Sequence, residues 1–445
     1  MSAIIGVETL IITVIILLLS ASWRLYQKRK YYSNVTSKLP IICGIPLIGA
    51  AYHVFDVNKL FNNISNGFDI MKTLTGCMWV AATPYVLTID TEVIKNVTTS
   101  PEFLNKAPDL YTQFHNDILN GLIVSPAKKW KISRKALNPF LAHNNIVALF
   151  PAFNQNANNV KNKLARLAGQ GEQDIFNIIK DCGLQLSLLT IVGLKLEEGS
   201  EKHRETLRAF NALADHMAMD LVLGWLGLGF LSRTPHYKRV VKSLRKIVQS
   251  SYETSVGAAY TCLVLLAMHP EIQERLFQEI CSVFPDEITS VEYDDLKKLP
   301  YLDMCVSEAL RLVPPAAFIG RQTVHDTELC PGVILPKGTQ VLLAIYVLHR
   351  RKEIWGPDAH RFNPDNFLPE NVAKRHPYSY MPFSKGPRNC IAARYAQITL
   401  RIILIHTLRR LKFSTTFKYE DIILEPKVTL GFKIEPPLNI EVRTN

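Results

Sequence analysis

The stretch Phe383-Ser384-Lys385-Gly386-Pro387-Arg388-Asn389-Cys390-Ile391-Ala392 constrains this chain more than any other. Gly386 and Pro387 impose a turn just before a cysteine. After it, Ala396, Ile398, Leu400, Ile403, Leu404 and Leu408 mark a long helix. A cysteine placed between a turn and a helix start can receive backbone N–H groups and the positive end of the helix, and both stabilise a thiolate. Such a thiolate is able to ligate a metal, and the groups around its sulfur tune it. Arg388, two residues earlier, carries a planar fork suited to a carboxylate. Taken alone, the same residues also describe a buried cysteine at a helix N-terminus, and both readings stand at this point.

The other cysteines are Cys43, Cys77, Cys182, Cys262, Cys281, Cys305 and Cys330. They are scattered, with neither a CxxC pair nor zinc spacing. This pattern argues against a disulfide framework and for a reducing compartment. The formal net charge is +12. Apart from Arg24, Lys28, Arg29 and Lys30 it is spread thinly, without the basic stripe that nucleic-acid binding requires. No nucleic-acid partner is expected. A solvated surface accounts for the spread charge, and an acidic protein or an anionic membrane is the other reading.

Thr9 to Trp23 is an uncharged run rich in Ile, Leu and Val, and basic residues follow it directly. Extended back to Ile4, it is long enough for one helix across a hydrocarbon core. The basic flank places the rest of the chain on the cytosolic side. We expect a signal-anchor over residues 1–23, a basic and Pro/Gly-rich hinge over 24–50, and a catalytic domain over 51–445.

Two strands are expected at 79–82 and 85–89. Helical periodicity governs 127–282, clearest at Asn156–Leu167, Ile175–Val192, Arg204–Ala218 and Glu271–Ser282. Strands return at Val333–Leu335 and Gln340–Ala344, and in the tail from Lys427 to Val442. The fold class is therefore mostly α with small β-sheets.

Further patterns precede the cysteine loop. Glu308 and Arg311 share a helix face at i, i+3 spacing, a pair common by chance when met alone. Trp130 and Arg134 stand at i, i+4. Arg321 follows the apolar run Pro314–Phe318, and Glu253-Thr254 pairs an acid with a hydroxyl. Each has a bland alternative, such as a surface helix with one buried Trp or a polar helical turn.

Together, and in this order, they resemble the cytochrome P-450 family. The cysteine loop is similar to its haem-binding signature Phe-x-x-Gly-x-Arg-x-Cys-x-Gly, from Phe383 to Ala392, with Ala392 in place of the last glycine. Details such as Asn389-Cys390-Ile391 and Phe318-Ile319-Gly320-Arg321 resemble the family-4 branch of insect type. The resemblance implies a helix-rich haem domain with Cys390 as axial iron ligand. Trp130, Arg134, Arg321, Phe383 and Arg388 would then line the haem. Glu253 and Thr254 would relay protons to bound dioxygen. The Glu308–Arg311 pair would be locked by a third residue, usually arginine, at the position of Asn366, with Arg361 or His360 as substitutes.

The implied activity is monooxygenation of a lipophilic substrate: a fatty acid, a hormone-like lipid or a xenobiotic. Electrons would come from NADPH through a flavin-containing NADPH-cytochrome P-450 reductase, with cytochrome b5 as a further donor, at the endoplasmic reticulum (microsomal) membrane. Some members bind haem covalently through a glutamate near the oxygen motif. Ser250 stands there, so non-covalent haem b is expected. One departure is large. Tyr237–Val248 resembles the helix before the central one, yet Gln249-Ser250-Ser251 leads straight to Glu253, several dozen residues early. This predicts a haem-binding relative with impaired or no turnover as the alternative function.

Overall fold

The computed structural model describes most of residues 57–205 and 252–443 and parts of 12–50. Residues 1–11, 44–49, 51–56, 112–120 and 206–251 lie outside the described residues, with a few shorter stretches. The expected helix at Arg204–Ala218, the one at 237–248 and the junction at 249–251 fall mainly or wholly there. The chain forms two compact units, Met1–Ala107 with Gly320–Leu342, and Pro108–Ile319 with Leu343–Asn445.

The first unit is built on a five-stranded sheet. Its order is Ile41–Cys43, Thr75–Val80, Thr83–Thr88, Gln340–Leu343, Ile319–Gln322. The second and third strands form the hairpin read from the sequence, with the first of them starting four residues earlier than expected. Within the predicted hinge, Ile41–Cys43 pairs parallel with Thr75–Val80. Glycine at 76 permits this approach, since a Cβ there would sit 2.5 Å from Ile42 Cγ2. The described residues between Ile12 and Tyr32 are helical, and Ile12, Ile15, Ile16, Leu19 and Trp23 are exposed. Among the described residues no single helix is long and apolar enough to cross a membrane.

The second unit is helical. Its central helix, Tyr252–Met268, is apolar on every side from Val256 onward, and Ala258 through Ala267 are all buried. A helix without a polar face needs partners all round. It has them in Phe176–Ser187, Pro300–Leu312 and the long helix Ala393–Arg410. The last also packs on Phe150–Ala165. The predicted helices at 156–167, 175–192 and 271–282 appear as Phe150–Ala165, Phe176–Ser187 continued by a π-turn to Val192, and Pro270–Val283. The tail supplies the strands Leu430–Phe432 and Leu438–Val442. The structure is thus mostly helical with small sheets.

Candidate functional site: a cysteine loop held by a buried ion-pair lock

The loop 383–390 closes on itself. The Cys390 amide donates to the Phe383 carbonyl at 2.8 Å, and the Asn389 amide to that of Gly386 at 3.0 Å. Gly386 sits at φ +75°, in the left-handed region open to glycine. The helix begins at Ala393, three residues beyond the cysteine.

Three side chains converge on this loop. Arg388 is buried, and its Nη2 donates to the Ser125 carbonyl at 2.7 Å. Its guanidinium lies 4.6 Å from the centre of the Trp130 ring, a cation–π contact. One turn along the helix Ala127–Leu137, Arg134 donates to the Asn389 carbonyl at 2.7 Å and to Asn389 Oδ1 at 2.9 Å. Burial lowers the Arg134 guanidinium from its ordinary value, and negative charge on Cys390 acts the other way. Trp130, Arg134, Phe383, Arg388 and Cys390 thus lie together around this loop. Arg321 is fully buried in the other unit, where its Nη1 donates to the Gly320 carbonyl. Glu253 and Thr254 open the central helix. Thr254 is exposed, and the Glu253 side chain lies outside the described residues.

Among the described cysteines Cys390 alone is exposed. Burial pushes the Cys77 and Cys262 thiols up to about 12 and Cys305 well above its ordinary value, so these remain protonated at neutral pH. No group of three or more His, Cys, Asp or Glu among the described residues could hold a metal. The residues at the loop fit haem in their chemistry: one exposed thiol on a closed loop, with two guanidiniums and an indole against that loop.

A second cluster of buried groups forms the lock. Glu308 and Arg311, on the helix Pro300–Leu312, are fully buried. Arg311 Nε and Nη2 grip the carboxylate at 2.6 and 2.7 Å. Its remaining donors reach the carbonyls of His349 and Ala359, both at 2.6 Å, and of Arg361 at 3.1 Å. All five guanidinium donors are therefore used. Glu308 Oε1 also accepts from the Asn363 amide at 2.9 Å and Asn366 Nδ2 at 3.0 Å. The expected third position is thus filled by Asn366 itself. Arg361 does not substitute with its side chain, which is exposed and faces Asp358; only its carbonyl joins.

The sequence reading missed His349. It is fully buried, its Nε2 accepts from the Met381 amide at 3.0 Å, and its Nδ1 stands 3.2 Å from the Arg311 carbonyl. An Nε2 that accepts requires the proton on Nδ1, so the ring is the neutral tautomer. Burial, chiefly, with Arg311 nearby, lowers its pKa to about 3. Met381 leads into Phe383, so His349 ties lock to loop. Its partners lie 38 and 32 residues away, beyond any local spacing signal.

An exposed thiol on a closed, arginine-tied loop is what a haem-thiolate protein would use, and the comparisons identify the family. The family profile described as Cytochrome P450 matches residues 44–250 and 233–440. The chain belongs to the cytochrome P450 family, whose members are haem-dependent monooxygenases. It is 30% identical to Probable cytochrome P450 313a4 of Drosophila melanogaster over 479 residues, covering 94% of this chain and 96% of the relative. Cytochrome P450 4c3 of the same species is 27% identical, covering 92% and 91%. Cytochrome P450 4c21 of Blattella germanica is also 27% identical, covering 89% and 91%. The insect family-4 resemblance agrees with these relatives.

Proposed function

We propose that this chain is a microsomal monooxygenase of lipophilic substrates, in which Cys390 would hold the iron of non-covalently bound haem b. The observation that carries this reading is the closed Cys390 loop, tied by Arg134 and Arg388 and backed by the Glu308–Arg311 lock. Bound haem would supply the chemistry of dioxygen activation and oxygen insertion. The protein's own part is positioning. Trp130, Arg134 and Arg388 would hold haem carboxylates, and Phe383 would pack beside the sulfur. Glu253 and Thr254, at the head of the central helix, would deliver protons.

Electrons would come from NADPH through a flavoprotein reductase, with cytochrome b5 as a second donor. In support, the helix that carries Trp130 and Arg134 also exposes Lys128, Lys129, Lys131 and Lys135. A basic face beside the iron ligand suits an acidic partner. The exposed apolar residues from Ile12 to Trp23 support attachment to the endoplasmic reticulum membrane, with the rest of the chain in the cytosol.

A second reading is a haem-binding relative with impaired turnover. Two observations favour it. The family profile matches in two pieces that double back over 233–250. The match to the 313a4 relative spans 479 residues, more than the 445 of this chain, so the relative carries residues that this chain lacks. Loss of a segment before Glu253 would open the distal side to water and leak protons.

The test is a reduced carbon-monoxide difference spectrum of the membrane-expressed protein, followed by NADPH turnover with added reductase. A thiolate-type band with coupled product formation supports the monooxygenase. A band without turnover supports the second reading. No thiolate-type band refutes both.

A further inference from the structure

The lock holds Asn366 where an arginine is usual, and an asparagine amide brings no charge to Glu308. A guanidinium is nevertheless close by. Arg375 Nη2 donates to the Asn366 carbonyl, so the residue whose side chain reaches Glu308 is gripped from its backbone by Arg375. The Arg375 guanidinium also lies 4.3 Å from the centre of the Trp355 ring, the ring that Arg311 approaches at 4.9 Å. Trp355 is buried, and its Nε1 donates to the Leu348 carbonyl at 3.2 Å. Phe367 stands 5.7 Å from the same ring, 5.4 Å from the Arg375 guanidinium and 4.8 Å from the Tyr380 ring. Tyr380 in turn donates to the Ser307 carbonyl, beside Glu308, at 3.0 Å. Arg375 is thus half-buried against Trp355 and Phe367, rings that connect through Arg311 and Tyr380 to the ion pair.

We propose that Arg375 is a positioning residue that supplies the second cation of the Glu308–Arg311 lock, acting through Asn366 and Trp355 from nine residues further along the chain. Its stem and ring contacts fix where the guanidinium sits, and its bond to the Asn366 carbonyl aims the Asn366 amide at Glu308 Oε1. Burial lowers the Arg375 guanidinium from its ordinary value while Glu308 draws it back up, as expected when the carboxylate senses this charge. A guanidinium stays protonated throughout. Moving the cation from position 366 to 375 keeps the charge near the lock but transmits it through a neutral amide.

The test is an exchange of positions in the full-length chain. Arg375→Ala is expected to lower the thiolate-type fraction of the carbon-monoxide spectrum, and to lower the folded-to-unfolded equilibrium constant about ten-fold, the size of losing one charge-assisted hydrogen bond, read as a lower urea midpoint. Arg375→Lys should retain part of both. Asn366→Arg in the Arg375→Ala background should restore both, because it returns the cation directly to Glu308. If Arg375→Ala does not fold, the double variant must. Unchanged spectra and midpoint in Arg375→Ala would overturn the assignment. So would a double variant no better than Arg375→Ala, since that marks Arg375 as an aromatic-stacking residue alone.

Discussion

Acid should unfold this protein partly through His349, and replacing that residue with glutamine should remove its share. His349 is fully buried, accepts from the Met381 amide and faces the Arg311 carbonyl. Its folded-state pKa is lowered to about 3, against about 6.5 when unfolded. The sign follows from proton counting. Below pH 6.5 the unfolded imidazole takes up a proton that the folded one refuses, so the unfolded state gains. Stability from this group is complete above pH 6.5 and is lost as the pH falls from there toward 3. Each pH unit in that window costs about 1.4 kcal/mol, and the step from pH 7 to pH 5 about 2 kcal/mol. Glutamine does not titrate. His349→Gln should be less stable at pH 7 by about 1–3 kcal/mol, since one buried backbone partner is left unpaired. Its loss between pH 7 and 5 should nevertheless be about 2 kcal/mol smaller than the parent's. Urea unfolding at both pH values measures this difference and cancels the carboxylates common to both proteins. Parallel pH dependences in parent and variant would refute a neutral, buried His349.

Cys390→Ala should abolish the thiolate-type carbon-monoxide spectrum while leaving circular dichroism unchanged; a retained band means another ligand. Where the enzyme turns over, Thr254→Ala should divert electrons to peroxide, read as NADPH consumed per product formed, and unchanged coupling removes Thr254 from proton delivery. Deleting residues 1–30 should weaken sedimentation with microsomes without abolishing it, because other apolar surface can still dip into the bilayer. A full-length protein found wholly in the soluble fraction would dismiss the anchor.

The cysteine loop was legible in the sequence because its determinants are local. A turn at Gly386, an arginine and a cysteine at fixed offsets, and the helix after them lie within one stretch of chain. The i, i+3 and i, i+4 pairs Glu308–Arg311 and Trp130–Arg134 were legible for the same reason, since helical geometry alone puts both members on one face. The helices Phe150–Ala165, Phe176–Ser187 and Pro270–Val283 could be anticipated from apolar period, with ends displaced by a few residues. Tertiary structure alone decided what the pairs hold. Arg311 spends three of its five donors on carbonyls of His349, Ala359 and Arg361, 38 to 50 residues away. The role of Asn366 likewise depends on a carboxylate 58 residues earlier. A buried guanidinium must satisfy every donor wherever acceptors arise in space, and periodicity carries no record of those positions. That is why spacing found Glu308 and Arg311, and only the folded chain revealed His349, Trp355 and Arg375 around them.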